Sequence, residues 1–175
     1  DSIKIANIAK KYGLDAPFLR PKKLSGDLVS DLDVLNHVLS EMRIKMKKDF
    51  EIILLLPPTS PMRLKVDVIK VIKKLIDKSL DSVWTVSKSD KKNHPLKQLK
   101  INGQNLCYAD RSGEKIIARQ QLKSFYQRNG IVYAFTKNCL QIQKKILGRK
   151  ASYILINRPV VNIDDRFDLD IAEFF

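Results

Sequence analysis

The sequence predicts an α/β fold with a largely parallel sheet, and three observations carry that prediction. Apolar residues at helical spacing alternate along the chain with short apolar runs of strand length. One run, Phe50–Leu56, shows no polar alternation, as in a strand covered on both faces. Directly after it, Pro57, Pro58 and Pro61 remove ladder donors and impose a stiff loop. In an open α/β sheet, the loops beyond the carboxyl ends of strands line the ligand crevice.

Each element follows from local pattern. Ile5, Ile8, Ala9 and Tyr12 share one helical face, and Gly13 stands where a helix end takes a left-handed residue. Ala16–Arg20 reads as a short strand stopped by Pro21. Leu32, Leu35, Val38, Leu39, Met42 and Met46 form an apolar stripe, so a second helix starts there with Ser30 or Asp31 as its cap. The Phe50–Leu56 strand and the proline loop come next, then a helix with Val66, Ile69, Ile72, Leu75 and Ile76 on one face. Ser82–Val86 is a second buried strand and holds the only tryptophan, Trp84. Residues 88–129 differ in character: they are polar, and Asn102-Gly103 between Leu99, Ile101 and Leu106 marks a hairpin inserted into the main layer. Ile131–Phe135 resumes the core pattern. Leu140, Ile142, Ile146 and Leu147 suggest a helix closed by Gly148, Tyr153–Ile156 a strand, and Asp168–Phe175 a terminal helix with acidic residues at its positive end.

Composition narrows the function. A chain of 175 residues is expected to form one domain, 1–175, and its 44% hydrophobic content is enough for a core, which excludes a disordered tail. Lys and Arg number 33 against 19 Asp and Glu, so 33 − 19 gives a formal charge of +14. The lysines are scattered in pairs such as Lys22-Lys23, Lys73-Lys74 and Lys144-Lys145, with no basic arm. No nucleic-acid partner is therefore expected, and a smaller anionic ligand would use the same field. The longest aliphatic run, Ile52–Leu56, is far short of the ~20 apolar residues of a membrane helix. Cys107 and Cys139 are too few for a disulfide framework and suit reduced thiols, and a cytoplasmic location is expected. Walker, Rossmann, zinc and nucleophile-elbow motifs are absent. His37 lies off the apolar stripe of its helix and reads as structural or solvated, and His94 as an exposed loop histidine.

Four stretches rise above this background: Phe18-Leu19-Arg20-Pro21 with Leu24-Ser25-Gly26-Asp27; Leu56–Arg63; Asn93-His94-Pro95-Leu96-Lys97; and Arg119-Gln120-Gln121 with Asn129–Tyr133. A fifth, Asn162-Ile163-Asp164-Asp165 with Asp168-Leu169 and Ala172-Glu173, closes the chain. In this order and spacing they resemble the acylneuraminate cytidylyltransferase family, whose members activate sialic and related nonulosonic acids as CMP-sugars. The resemblance runs from Asp1 to Glu173. It implies a Rossmann-like, three-layer nucleotidyltransferase fold with a mainly parallel sheet and an inserted dimerisation hairpin in residues 88–129. It also implies an enzyme that takes CTP and a nonulosonic acid, works as a homodimer and uses Mg2+.

Residue by residue, the resemblance implies nucleotide contacts for Arg20, Asp27 and Ser30, although Arg20 also suits a surface ion pair and Asp27 a helix cap. Thr59 and Ser60 face the sugar. Lys97 and Arg119 pair with its carboxylate, which a guanidinium can hold bidentately. Gln120, Asn129 and Tyr133 add polar contacts, with Tyr133 equally suited to a core. Asp164 would ligate the metal together with Asn162, and Asp164, Lys97 and Arg119 form the catalytic set. Arg63 is expected to cap or pair at the surface. The chain departs from the family at Pro57, where relatives carry Gln, at Asp31, where they carry a hydroxyl, and at Asn162, where the usual triplet reads Asp-Ile-Asp. The family's opening strand and triphosphate-gripping loop have no counterpart, so weak triphosphate binding is expected. A truncated, non-catalytic binding module of the same fold is the alternative, with a basic nucleic-acid binder a more distant one.

Overall fold

The computed structural model describes residues 1–175, which form two compact units: Asp1–Ile53, Leu80–Ser82 and Phe135–Ala151 in one, Leu54–Ser79, Val83–Ala134 and Ser152–Phe175 in the other. In chain order the elements are α1 (Ile3–Lys11), α2 (Asp31–Met46), β1 (Ile52–Leu55), α3 (Lys65–Asp77), β2 (Ser82–Lys88), β3 (Leu99–Asn102), β4 (Asn105–Tyr108), β5 (Tyr126–Thr136), α4 (Lys137–Gln141), β6 (Ala151–Leu155) and α5 (Arg166–Phe174). No helix is long and apolar enough to cross a membrane.

The main sheet has the order β1-β5-β2-β6. β2 and β6 run parallel, since Asp81 N donates to Lys150 O beside their starts and Ile156 N to Val86 O toward their ends, both at 2.9 Å. β5 is reversed: Thr136 N meets Asp81 O, Ser89 N meets Phe125 O, and Lys137 N meets Glu51 O ahead of β1, each at 2.9 Å. Three of the four strands thus share a direction, and the sheet is an α/β sheet of mixed pairing. β5 supplies the densest core, with Ile131, Val132, Tyr133, Ala134 and Phe135 all at most 2% exposed.

Several sequence expectations are corrected here. β1 is an edge strand, half-buried along its length, so Ile-Ile-Leu-Leu marks two apolar faces rather than full cover. The strand covered on both faces is β5. Ala16–Arg20 forms no strand, because Pro17 and Pro21 leave too few donors for a ladder. α4 ends at Gln141 rather than running to Leu147, and Lys144 beyond it takes a left-handed conformation (φ 52°) that a helix interior excludes. α5 begins at Arg166: Asp165 caps it by accepting from Asp168 N at 3.0 Å, and Asp168 accepts in return from Asp165 N at 3.2 Å. Of the two candidates for the α2 cap, Ser30 serves, accepting from Asp33 N at 3.1 Å.

Within residues 88–129, β3 and β4 form the expected antiparallel hairpin, with Leu99 opposite Tyr108 and Ile101 opposite Leu106. Gly103 opens its two-residue turn at φ 62°, a conformation that costs glycine nothing.

Candidate active site

The proline loop, residues 57–63, is held in place within the second unit by two arginines. Arg63 turns inward instead of pairing at the surface: its Nη2 donates to Pro57 O at 2.7 Å and Gly130 O at 3.3 Å, and its Nε to Ile131 O. Prolines leave the loop few backbone donors, and the multiple donors of Arg63 join the loop carbonyl of Pro57 to the β5 carbonyls of Gly130 and Ile131. Burial pushes the Arg63 guanidinium below its ordinary pKa, with the Asp67 charge opposing. Arg158 forks onto the buried Asp67 carboxylate, through Nη1 at 3.1 Å and through Nη2, and donates to Met62 O at 3.0 Å. Leu64 N adds a third bond to Asp67 at 3.0 Å. Burial alone would raise the Asp67 carboxyl, but the bonds from Arg158 and Leu64 outweigh it and hold the group below its usual value.

The loop tip meets two other segments. Thr59 Oγ1 and Ser60 Oγ donate to Asn162 Oδ1 at 3.0 and 3.1 Å, and Ile163 N donates to Thr59 O at 2.8 Å. Asn162 Nδ2 in turn donates to Asp164 Oδ1 at 3.0 Å. Ser60, only 1% exposed, also reaches Asn129 O at 3.4 Å. The buried Asn129 amide is engaged at both ends: Oδ1 accepts from Thr85 Oγ1 at 2.7 Å and Ile131 N at 3.2 Å, and Nδ2 donates to Ser87 Oγ at 3.1 Å. Thr85 Oγ1 accepts from Val132 N at 2.9 Å, so a side chain stands in the ladder where β5 kinks. The kink is Gly130, at φ 72°, whose N–H donates to Tyr133 Oη at 2.7 Å. A Cβ at 130 would collide with Ser60 Oγ and press on Asn162 Oδ1 at 3.0 Å, so only glycine lets loop and strand approach this closely.

Five of the expected site residues therefore converge: Thr59, Ser60, Asn129, Asn162 and Asp164, with Tyr133 braced beneath. Lys97, Arg119 and Gln120 belong to the inserted region. Arg119 Nη2 lies 3.8 Å from Asp90 Oδ1, its carbonyl accepts from Lys91 Nζ at 3.0 Å, and it lines a depression with Lys88, Ser89, Asp90 and Lys91. The Asp90 carboxyl is held below its usual value, first by the Lys92 amide and then by the charges of Lys92, Arg119 and Lys97. Asp90 is thus a counterion paired with both Lys92 and Arg119, with Lys97 adding to its field. His94 is buried at 3% exposure rather than an exposed loop residue, its Nδ1 accepting from Leu96 N at 3.1 Å and its ring 4.6 Å from that of Phe125. Arg20, Asp27 and Ser30 lie in the other unit, where Arg20 pairs with Asp1 at 3.2 Å and the Ser30 hydroxyl donates to Asp33 at 2.7 Å.

The metal-ligand pair implied by the resemblance does not fit this donor set. Asn162 Oδ1 already accepts two hydroxyl hydrogens, and its Nδ2 turns a donor toward Asp164. No three His, Cys, Asp or Glu side chains gather to hold an ion. One Asp164 oxygen is what the pair leaves free of these bonds.

Sequence reasoning missed Thr85, Arg63 and the Asp67–Arg158 pair as builders of the site. Thr85 alone carries a signal, a hydroxyl in the middle of the apolar strand Val83-Trp84-Thr85-Val86.

No family model matches the chain. Among curated relatives, it is 29% identical to the N-acylneuraminate cytidylyltransferase of Escherichia coli O18:K1:H7 over 175 residues, which cover 98% of this chain but 39% of that protein. It is 25% identical to the post-translational flagellin modification protein B of Campylobacter coli, covering 99% of this chain and 73% of the relative. It is 28% identical to the CMP-N,N'-diacetyllegionaminic acid synthase of Legionella pneumophila, covering 97% and 70%. The solved structure of a CMP:2-keto-3-deoxy-manno-octonic acid synthetase complexed with CTP superposes over 100% of this chain and 79% of its own, with a TM-score of 0.61 at 16% identity, a likeness of fold.

Proposed function

We propose that the chain is a member of the acylneuraminate cytidylyltransferase family and that it transfers a cytidylyl group from CTP to the anomeric hydroxyl of a nonulosonic acid. The sugar oxygen bonds to the α-phosphorus, the bond to the β-phosphate oxygen breaks, pyrophosphate leaves, and the hydroxyl proton passes to a base. Such transfer depends on positioning and charge neutralisation more than on a covalent nucleophile. The observation that carries this reading is the convergence of Thr59, Ser60, Asn129, Asn162 and Asp164 from three separate segments around one loop tip.

In this reading the Thr59 hydroxyl, on a loop that its prolines and Arg63 hold still, binds the sugar, while Ser60, expected to share that contact, is buried and fixes the loop tip through Asn162 and Asn129. Asn129 and Tyr133 fix the strand beneath them, and Asp164 is the carboxylate at the reacting end. Lys97, Arg119 and Gln120 receive the sugar carboxylate, with Asp90 keeping the cations in place until that carboxylate arrives. They serve the crevice of the neighbouring subunit in a homodimer, and Arg20, Asp27 and Ser30 contact the nucleotide.

The test is pyrophosphate release from CTP with a panel of nonulosonic acids and the full-length protein, with the CMP-sugar identified by mass. Product with at least one acid is expected; none with any of them would overturn the reading. Arg119→Ala is expected to weaken sugar binding at least roughly tenfold while CTP binding holds, since a bidentate charged contact is lost. An equal loss of both would contradict the carboxylate role. The second reading, a non-catalytic binding module, is favoured by Asn162 and would give ligand binding without turnover.

A further inference from the structure

Asn162 joins two segments, and both ends of its amide are engaged. Its oxygen accepts from Thr59 Oγ1 at 3.0 Å and Ser60 Oγ at 3.1 Å, and its nitrogen donates to Asp164 Oδ1 at 3.0 Å. Chemistry fixes this orientation. Turned over, the amide oxygen would face a carboxylate oxygen at that distance, acceptor against acceptor. Two carboxylates at 162 and 164 would meet the same repulsion more strongly, and a cation between them would be the natural relief. An amide removes the need, because its N–H presents a positive dipole end to Asp164.

We infer that Asn162 is a built-in substitute for a bound cation, holding the Thr59 and Ser60 hydroxyls and the Asp164 carboxylate in one arrangement with no ion between positions 162 and 164. The consequence is weak affinity of the protein itself for divalent cations at this site. Asp168 cannot add its Oδ2, which accepts from Asp164 N at 2.9 Å and Asp165 N at 3.2 Å. Hard divalent ions gain affinity with the number of charged oxygen ligands, so one carboxylate and a neutral amide make a poor site. The inference concerns the nucleotide-free protein and stands apart from the proposed transfer.

The test uses Mn2+ as the probe, titrated into nucleotide-free protein while the resonance of the free ion is followed. The wild type is expected to bind only in the millimolar range, and Asn162→Asp at least roughly tenfold more tightly. Thermal melts give a second readout. In EDTA, Asn162→Asp is expected to melt below the wild type, and Mn2+ well below the millimolar range to raise its midpoint while leaving the wild type nearly unmoved. Micromolar binding by the wild type, whatever the variant does, would overturn the inference. So would equal melting of the two proteins in EDTA, or a variant that stays unfolded even with Mn2+.

Discussion

Gly130 shows how one missing side chain sets the site. Its positive φ kinks β5, sends its N–H to Tyr133 Oη, and leaves room for Ser60 Oγ where a Cβ would stand. Gly103 has a similar φ, 62° against 72°, yet a Cβ there would meet nothing within 4 Å. Alanine at the two positions therefore separates backbone strain from crowding. Gly103→Ala is expected to cost about 1 kcal/mol, the strain of a left-handed non-glycine residue. Gly130→Ala adds displacement of the loop and the loss of the Ser60 contacts, and is expected to cost about 3 kcal/mol. Calorimetric melts of the two variants decide it, and equal midpoints would show that the close approach of loop and strand carries no stability. The Asn129-Gly130 pair was legible in the sequence as a feature. That Asn129 is consumed in holding the kink was not, because its partners Thr85 and Ser87 lie more than 40 positions away in the chain.

At the scale of elements, the proline loop depends on the start of α3. Asp67 occupies the first turn of α3, accepts from Leu64 N, and holds Arg158, which in turn grips Met62 O. Its folded pKa is depressed, so its contribution is present above the unfolded value and is lost as pH falls through the folded one. The wild type is therefore expected to lose stability as pH drops below about 4, the usual range of an aspartate. Asp67→Asn should be less stable by about 3 kcal/mol near neutral pH, where it leaves Arg158 without its counter-charge. It should also show a flatter profile below pH 4. Urea melts across that range check both, and parallel profiles for the two proteins would assign the acid response to other carboxylates.

The same element scale shows where pattern reading succeeds. α2 and α3 were legible because long stripes of Leu, Val and Ile repeat at helical spacing, and the hairpin because Asn102-Gly103 sits between apolar alternations. The failures have a common cause, local signals overridden by distant ones. Leu140–Leu147 has helical spacing, but α4 ends at Gln141, and beyond it Lys144 turns left-handed and Gly148 packs against Asp81 and Cys139. β1 looked fully covered because composition reports the polarity of a strand's faces and is silent on its edges. The candidate site was legible as a set of residue types, Thr59, Ser60, Asn129, Asn162 and Asp164. Its wiring through Arg63, Thr85 and Arg158 came only with the fold.

For the molecule as a whole, the proposed homodimer makes the last prediction. A two-stranded ribbon is marginal by itself in water, and β3–β4 puts four large side chains on one face. Leu99 is paired across from Tyr108 and Ile101 from Leu106, and all four are exposed, Ile101 at 79% and Leu106 at 66%. A continuous apolar face of this kind is the surface that the proposed homodimer would use. The opposite face carries Lys100, Asn102, Asn105 and Cys107, as suits the side left to solvent. If a second copy covers the apolar face, a charge at its centre must be desolvated on association, and two such charges across a twofold axis also repel. Sedimentation is expected to give a dimer for the wild type and a monomer for Ile101→Asp with Leu106→Asp. The variant should keep the secondary structure of the wild type by circular dichroism, since neither side chain is buried within one chain, while its melting midpoint falls by the stabilisation the second copy supplied. Turnover should fall with the dimer, because Lys97 and Arg119 in the same inserted region would no longer reach the neighbouring crevice. A wild type that sediments as a monomer, or a monomeric double variant with unchanged turnover, would remove the partner subunit from the proposed site.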